Sequence, residues 1–223
     1  MKTIINGIAT EYMDEGSGPT LVFLHGWKDN LHTFDGLIPL LTSQYRAVRI
    51  DLPGFGQTEM PDHAWRLDDY AYFVDAFIKK LDIQVFGLIG HSFGGRVGIK
   101  GVAEGILRPQ KIVLVGSAGI AKQRTLRNRL LTVFAKIGKV ATFIPPFIFW
   151  RREIRRNIYE KIGSDYFAAG KLKDTYLTII KEDLAAVAPR IKIPALLVWG
   201  SDDTAIPLTY GERMHRLIKG SVL

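Results

Sequence analysis

The sequence predicts an α/β fold: a mostly parallel sheet with helices on both faces, interrupted once by an insertion. Short apolar runs alternate with turn signals and helical patterns through the first 120 residues, the order expected of strand–helix units. The strand pattern then resumes at Ala195–Trp199, far from its predecessor. Between the two, charge is lopsided. The chain carries a formal net charge of +8, yet residues 121–188 hold 14 Lys+Arg against 6 Asp+Glu, while the rest has 16 of each sign. One segment therefore carries the whole imbalance. This divides the chain into a core, 1–120 with 189–223, and a basic cap or lid, 121–188.

Each element has a local reason. Thr3–Ile8 and Thr10–Met13, with Asn6-Gly7 among them, lead into the turn-rich Asp14-Glu15-Gly16-Ser17-Gly18-Pro19 and suggest an antiparallel start. Leu21–Leu24, Ala47–Ile50, Val85–Ile89 and Ile112–Val115 are brief, mostly apolar and rich in β-branched residues, as strands buried on both faces should be. Tyr70, Phe73, Phe77 and Leu81 recur at helical spacing behind Asp68-Asp69, which can cap an N-terminus. In the insertion, Leu126, Leu130, Val133, Phe134 and Ile137 make one helical stripe; Ile154, Ile158 and Ile162 make another, opposite Arg151, Arg152, Arg155 and Arg156. A helix over about Thr209–Lys219 follows the last full strand, and Ser221-Val222-Leu223 reads as the opening of one more.

Composition removes several function classes. With no cysteine among 223 residues, disulfides, thiolate metal sites and cysteine nucleophiles are excluded. The five histidines (25, 32, 63, 91 and 215) form no HExxH or other close ligand pair, so no metal is expected. No apolar run approaches the roughly 18 residues of a membrane span, and the N-terminal apolar stretch is too short for a signal peptide; a cytoplasmic location is the default expectation. No nucleic-acid reading motif accompanies the basic charge, so nucleic acid is not an expected partner. The aromatic stretch Phe143–Trp150 followed by Arg151-Arg152 has two readings. One is a membrane-surface contact on anionic lipid; the plainer one is an apolar pocket wall under a solvated basic face.

The most specific feature is Gly90-His91-Ser92-Phe93-Gly94-Gly95, directly after one strand and before a helix over about Phe93–Ala103. This is the G-x-S-x-G nucleophile elbow in its required strand–turn–helix setting. A serine there must sit on a strained turn that lifts its hydroxyl above the sheet edge, and only small neighbours at 90 and 94 let the backbone come that close. Ser92 is the candidate nucleophile. His25-Gly26-Trp27 follows the strand 21–24, where an oxyanion hole needs its second donor. The backbone N–H groups of Trp27 and Phe93 are its candidates, and His25 is expected to shape this loop.

His25-Gly26-Trp27, Asp51-Leu52-Pro53-Gly54-Phe55-Gly56-Gln57-Thr58 and the Ser92 elbow, in that order and spacing, resemble the α/β-hydrolase superfamily, most closely its cap-bearing, esterase-like branch. The resemblance covers the body and not the cap. It implies a Ser–His–acid triad, no cofactor, a substrate pocket between cap and sheet, and a structural role for Asp51. Trp199-Gly200-Ser201-Asp202-Asp203-Thr204-Ala205-Ile206-Pro207 is similar to the family's Trp-Gly-x-x-Asp-x-x-x-Pro segment, which selects Asp203 over Asp202 as triad acid. The other acid position, after Val115, holds Gly116-Ser117 and no carboxylate.

The triad histidine is not found in this chain. In this fold it follows the acid by one more helix and strand. His215, inside the helix that follows Asp203, is expected on the surface; His32 and His63 have no motif around them, and His91 is expected to turn its ring away from the chemistry. Three expectations follow. The chain is a fragment that stops before its histidine, with the last strand and helix missing and an apolar sheet edge left open; or the scaffold serves as a non-catalytic ligand-binding protein; or a residue such as His215 has been recruited. For an enzyme, a small-molecule ester or other acyl substrate is the default. A serine nucleophile argues against haloalkane and epoxide hydrolysis, whereas C–C bond hydrolysis, amide hydrolysis and perhydrolysis stay open.

Overall fold

The computed structural model describes residues 1–120 and 170–223. The helical stripes, aromatic stretch and arginines expected between 126 and 162 lie outside the described residues. Two compact units are present, Met1–Ile120 with Asp174–Leu223, and Ala121–Lys173. Residues 174–188 carry the insertion's composition but belong to the first unit, because Thr175, Ile179, Leu184 and Ala188 are buried there. Of the second unit, a short 3₁₀ turn over Gly170–Leu172 and the first residue of the next helix are described.

The first unit is built on seven strands: β1 (Lys2–Ile5), β2 (Ile8–Glu15), β3 (Thr20–Leu24), β4 (Arg46–Ile50), β5 (Val85–His91), β6 (Lys111–Val115) and β7 (Ala195–Val198), in the spatial order β1-β2-β4-β3-β5-β6-β7. β1 and β2 form a hairpin whose turn residues Asn6 and Gly7 both have positive φ, 48° and 83°, as a two-residue turn matched to strand twist requires. β2 also runs antiparallel to β4; every pairing from β4 through β3, β5 and β6 to β7 is parallel. The expected antiparallel start and parallel body are both present.

The described α-helices are α1 (Ile38–Leu41), α2 (Leu67–Lys80), α3 (Phe93–Ala103), α4 (Lys173–Lys181) and α5 (Leu208–Leu217), with 3₁₀ turns over Leu31–Phe34, Leu184–Ala186 and Ala188–Arg190. Asp69 caps α2 by accepting the Arg66 N–H at 2.7 Å, and the Tyr70–Phe73–Phe77 stripe is buried. α2 and α3 pack together, α3 lying on β3 and β5. On the opposite face Phe23, Phe34, Ile38, Ala47 and Ile89 form a core cluster, with Val113 and Val115 beside it. Register places Leu196 and Val198 next to Val113 and Val115 on that same face, yet each is 43% exposed. Val222 does pair with the edge strand: its N–H donates to the Ala195 carbonyl at 2.9 Å, and Leu197 N–H donates to the Val222 carbonyl at 2.7 Å. No described helix is long and apolar enough to cross a membrane.

Candidate active site

The carboxyl ends of β3, β5, β6 and β7 bring the sequence-selected residues to one edge of the sheet. Ser92 stands between β5 and α3 with φ 49° and ψ −106°, a conformation that costs an L-residue about 1–3 kcal/mol. Neighbours hold it there. Its N–H donates to the Val115 carbonyl at 3.0 Å, and Gly94 N–H donates to the His25 carbonyl at 2.9 Å. A Cβ at Gly90 would come within 2.7 Å of the Gly94–Gly95 backbone, and one at Gly94 would collide with the Leu24 and His25 carbonyls. The small residues are thus a steric requirement of the turn.

The first amides of a helix have no intrahelical acceptor, and the N–H of Phe93, the first residue of α3, is one of them. The second strand end supplies the His25–Trp27 loop. His25 is fully buried; its Nδ1 donates to the Gly26 carbonyl at 2.7 Å, and its Nε2 accepts the Leu52 N–H at 2.9 Å. Burial holds its pKa below the ordinary imidazole value, so the ring is a neutral strut with both nitrogens engaged. Asp51 serves the next loop in the same manner, its carboxylate accepting Leu31 N–H at 2.7 Å and Gln57 N–H at 2.8 Å.

Asp203 occupies the loop after β7. Its Oδ1 accepts the N–H groups of Ala205 and Ile206 at 2.9 and 2.8 Å, and Trp199 Nε1 steadies the far side of the loop by donating to the Ile206 carbonyl at 2.9 Å. Oδ2 is turned toward the end of β6, 3.5 Å from where a Gly116 Cβ would stand. Asp202 is exposed. β6 separates the strands that carry Ser92 and Asp203, a lateral step of about 10 Å at ordinary strand spacing. An imidazole bridging the two would fill that step.

None of the five histidines is hydrogen-bonded to either residue. His32 pairs with Asp35 at 2.9 Å, His63 with Asp62 at 2.5 Å, and exposed His215 with the Ser221 hydroxyl at 2.9 Å. His91 lies against the His25–Trp27 loop, its Nδ1 buried without a partner and 3.0 Å from a Cβ built on Gly26.

Two features escaped the sequence. Trp27 is ringed by Phe55, Phe93 and Tyr176 at centroid distances of 4.8, 5.2 and 5.2 Å, and Tyr176 comes from α4, where no motif marked it. Arg96 is a buried cation one turn after Ser92; its one visible signal was a charge among glycines and apolar residues at the start of α3. No cluster of three or more His, Cys, Asp or Glu able to hold a metal occurs among the described residues.

The model of the alpha/beta hydrolase family matches residues 21–223. The chain belongs to that family. An uncharacterised hydrolase of Bacillus subtilis is 25% identical over 243 residues, spanning 98% of this chain and 85% of its own length. The 2-hydroxy-6-oxo-6-(2'-aminophenyl)hexa-2,4-dienoic acid hydrolase of Metapseudomonas resinovorans is 31% identical over 246 residues, 96% of this chain and 78% of its own. Among solved structures, an esterase from Exiguobacterium antarcticum superposes with a TM-score of 0.75 at 23% identity, covering 100% of this chain and 90% of its own. A meta-cleavage product hydrolase from Pseudomonas fluorescens gives 0.73 at 21%, covering 100% and 87%. At such identities the superpositions establish the α/β-hydrolase fold alone. The protein is a hydrolase-family member with esterases, lipases and C–C hydrolases among its structural neighbours.

Proposed function

We propose that this protein is a serine hydrolase of carboxylic esters working through an acyl-enzyme on Ser92. The observation that carries the reading is Ser92 itself, held at φ 49° on a strand–turn–helix elbow with an aspartate two strands away. Ser92 Oγ attacks the acyl carbonyl while a histidine takes its proton. The N–H groups of Trp27 and Phe93 receive the negative oxygen, the alcohol leaves with the histidine's proton, and water repeats the sequence to release the acid. Asp203 accepts the N–H of that histidine through Oδ2, its other oxygen being held by Ala205 and Ile206. None of the five histidines of this chain is hydrogen-bonded to Ser92 or Asp203; the Val222–Leu196 bridge sets that segment running parallel to β7, toward the sheet edge where Asp203 stands.

A second reading, C–C bond hydrolysis, is favoured by the 31% identical dienoic acid hydrolase. The test is intact-mass analysis of the protein, expressed to its natural stop codon, after treatment with a fluorophosphonate. One adduct located on Ser92 and absent from Ser92→Ala is expected, and a folded protein without that adduct overturns the reading. Parallel turnover of nitrophenyl esters and of an oxo-dienoate then separates the ester reading from the C–C one.

A further inference from the structure

Arg96 sits directly behind the nucleophile, its N–H donating to the Ser92 carbonyl at 3.2 Å. The residue is 8% exposed, and Nη2 donates to the carbonyls of Ile179 at 2.5 Å and Glu182 at 2.6 Å. Those carbonyls lie at the C-terminal end of α4 and just past it. There the negative pole of the helix dipole is concentrated, and the Ile179 carbonyl has only a 3.2 Å bond from the Glu182 N–H at the frayed helix end, so a guanidinium is a fitting cap. One turn further along α3, Lys100 reaches the Glu182 carboxylate at 3.0 Å and Asp68 at 3.2 Å. The nucleophile helix thus grips the end of α4 with two cations.

The same short helix lines the site. Tyr176, one turn before Ile179, rests its ring 5.2 Å from Trp27, and its neighbour Thr175 accepts the Trp65 N–H through Oγ1 at 3.0 Å. A buried guanidinium adds little net stability, since desolvation offsets what its bonds return, and Arg96 Nε has no partner at all. What the residue supplies is direction: both bonds fix where α4 ends relative to Ser92, and through α4 where Tyr176 stands relative to Trp27.

We infer that Arg96 is a positioning residue that, through Tyr176, sets the aromatic wall beside the oxyanion loop and so the affinity for bulky acyl groups. The substrate half of this inference rests on the ester-hydrolase reading; the positional half does not. The test uses protein labelled with 3-fluorotyrosine, with the Tyr176 fluorine resonance assigned by Tyr176→Phe. In Arg96→Met that resonance is expected to shift or broaden while Tyr70, which packs on Phe93 from α2 at 5.0 Å, keeps its position. KM for nitrophenyl benzoate should rise about tenfold with kcat unchanged and KM for nitrophenyl acetate within about twofold. The double variant with Tyr176→Ala should be no worse than Tyr176→Ala alone. Arg96→Lys, whose ammonium ends one bond short of the Nη2 that reaches both carbonyls, should show the same pattern more weakly; it carries the test if the Met variant does not fold. An unmoved Tyr176 resonance, equal loss on both esters, or additive effects in the double variant overturns the inference. If neither ester is turned over by the wild type, the ester reading fails while the fluorine resonance still decides the positional half.

Discussion

At the scale of single residues, the site is held by groups whose own preferences are overridden. Ser92 at φ 49° is strained, and glycine is the residue that tolerates such backbone. Ser92→Gly should therefore raise stability by about 1 kcal/mol while removing all reaction with a fluorophosphonate, a contrast that thermal melts and mass spectrometry read directly. Gly94→Ala has the opposite outcome: its Cβ meets the Leu24 and His25 carbonyls, so a loss of at least about 2 kcal/mol is expected in urea unfolding. His25 gives a pH signature. Its folded pKa is depressed by burial, so below the unfolded value near 6.5 the unfolded chain takes up a proton that the folded chain refuses. Stability is therefore complete above that pH and falls as pH drops through it, with a limiting slope of about 1.4 kcal/mol per pH unit. The difference between wild type and His25→Gln across pH 5–8 isolates the buried ring; parallel curves would contradict this account.

At the scale of elements, β7 differs from the strands beside it. Ala195 and Leu197 are buried, whereas Leu196 and Val198 face outward on the side that Phe23, Ile89 and Val113 share. An apolar strand face of this kind binds hydrophobic dyes and invites association. In the 223-residue chain, Leu196→Thr with Val198→Thr should lower anilinonaphthalene sulfonate fluorescence and slow aggregation, as measured by light scattering, with the melting temperature little changed. The strands and α3 were legible because they follow local rules: α3 runs over Phe93–Ala103 as its apolar and glycine pattern indicates, and the strand runs are brief and β-branched. α4 was not legible as part of the core. Its Lys173-Asp174-Thr175-Tyr176 start reads like the basic insertion that precedes it, and among what ties it to the core is a pair of carbonyls bonded to Arg96, 83 and 86 residues distant in sequence. Asp203 was selected by its loop motif, but the division of labour between its two oxygens depends on the fold of the Ala205–Ile206 backbone, which no spacing reveals.

At the scale of the whole molecule, the parallel order β3-β5-β6-β7 does the positioning. It sets the His25–Trp27 loop and Ser92 on neighbouring strand ends and Asp203 one strand beyond, across β6, although the corresponding segments are separated by long stretches of chain. Sequence motifs named these residues; the sheet explains why they share one edge. The central claim is that Ser92 and Asp203 act as one unit, and its most direct measurement is the rate of fluorophosphonate labelling at Ser92 in wild type, Asp202→Asn and Asp203→Asn, all expressed to the natural stop codon. The account expects Asp202→Asn to label like wild type and Asp203→Asn to be slower by about 10³-fold or more, because the orienting carboxylate is lost while the loop hydrogen bonds are kept. Equal labelling rates for Asp203→Asn and wild type would contradict it.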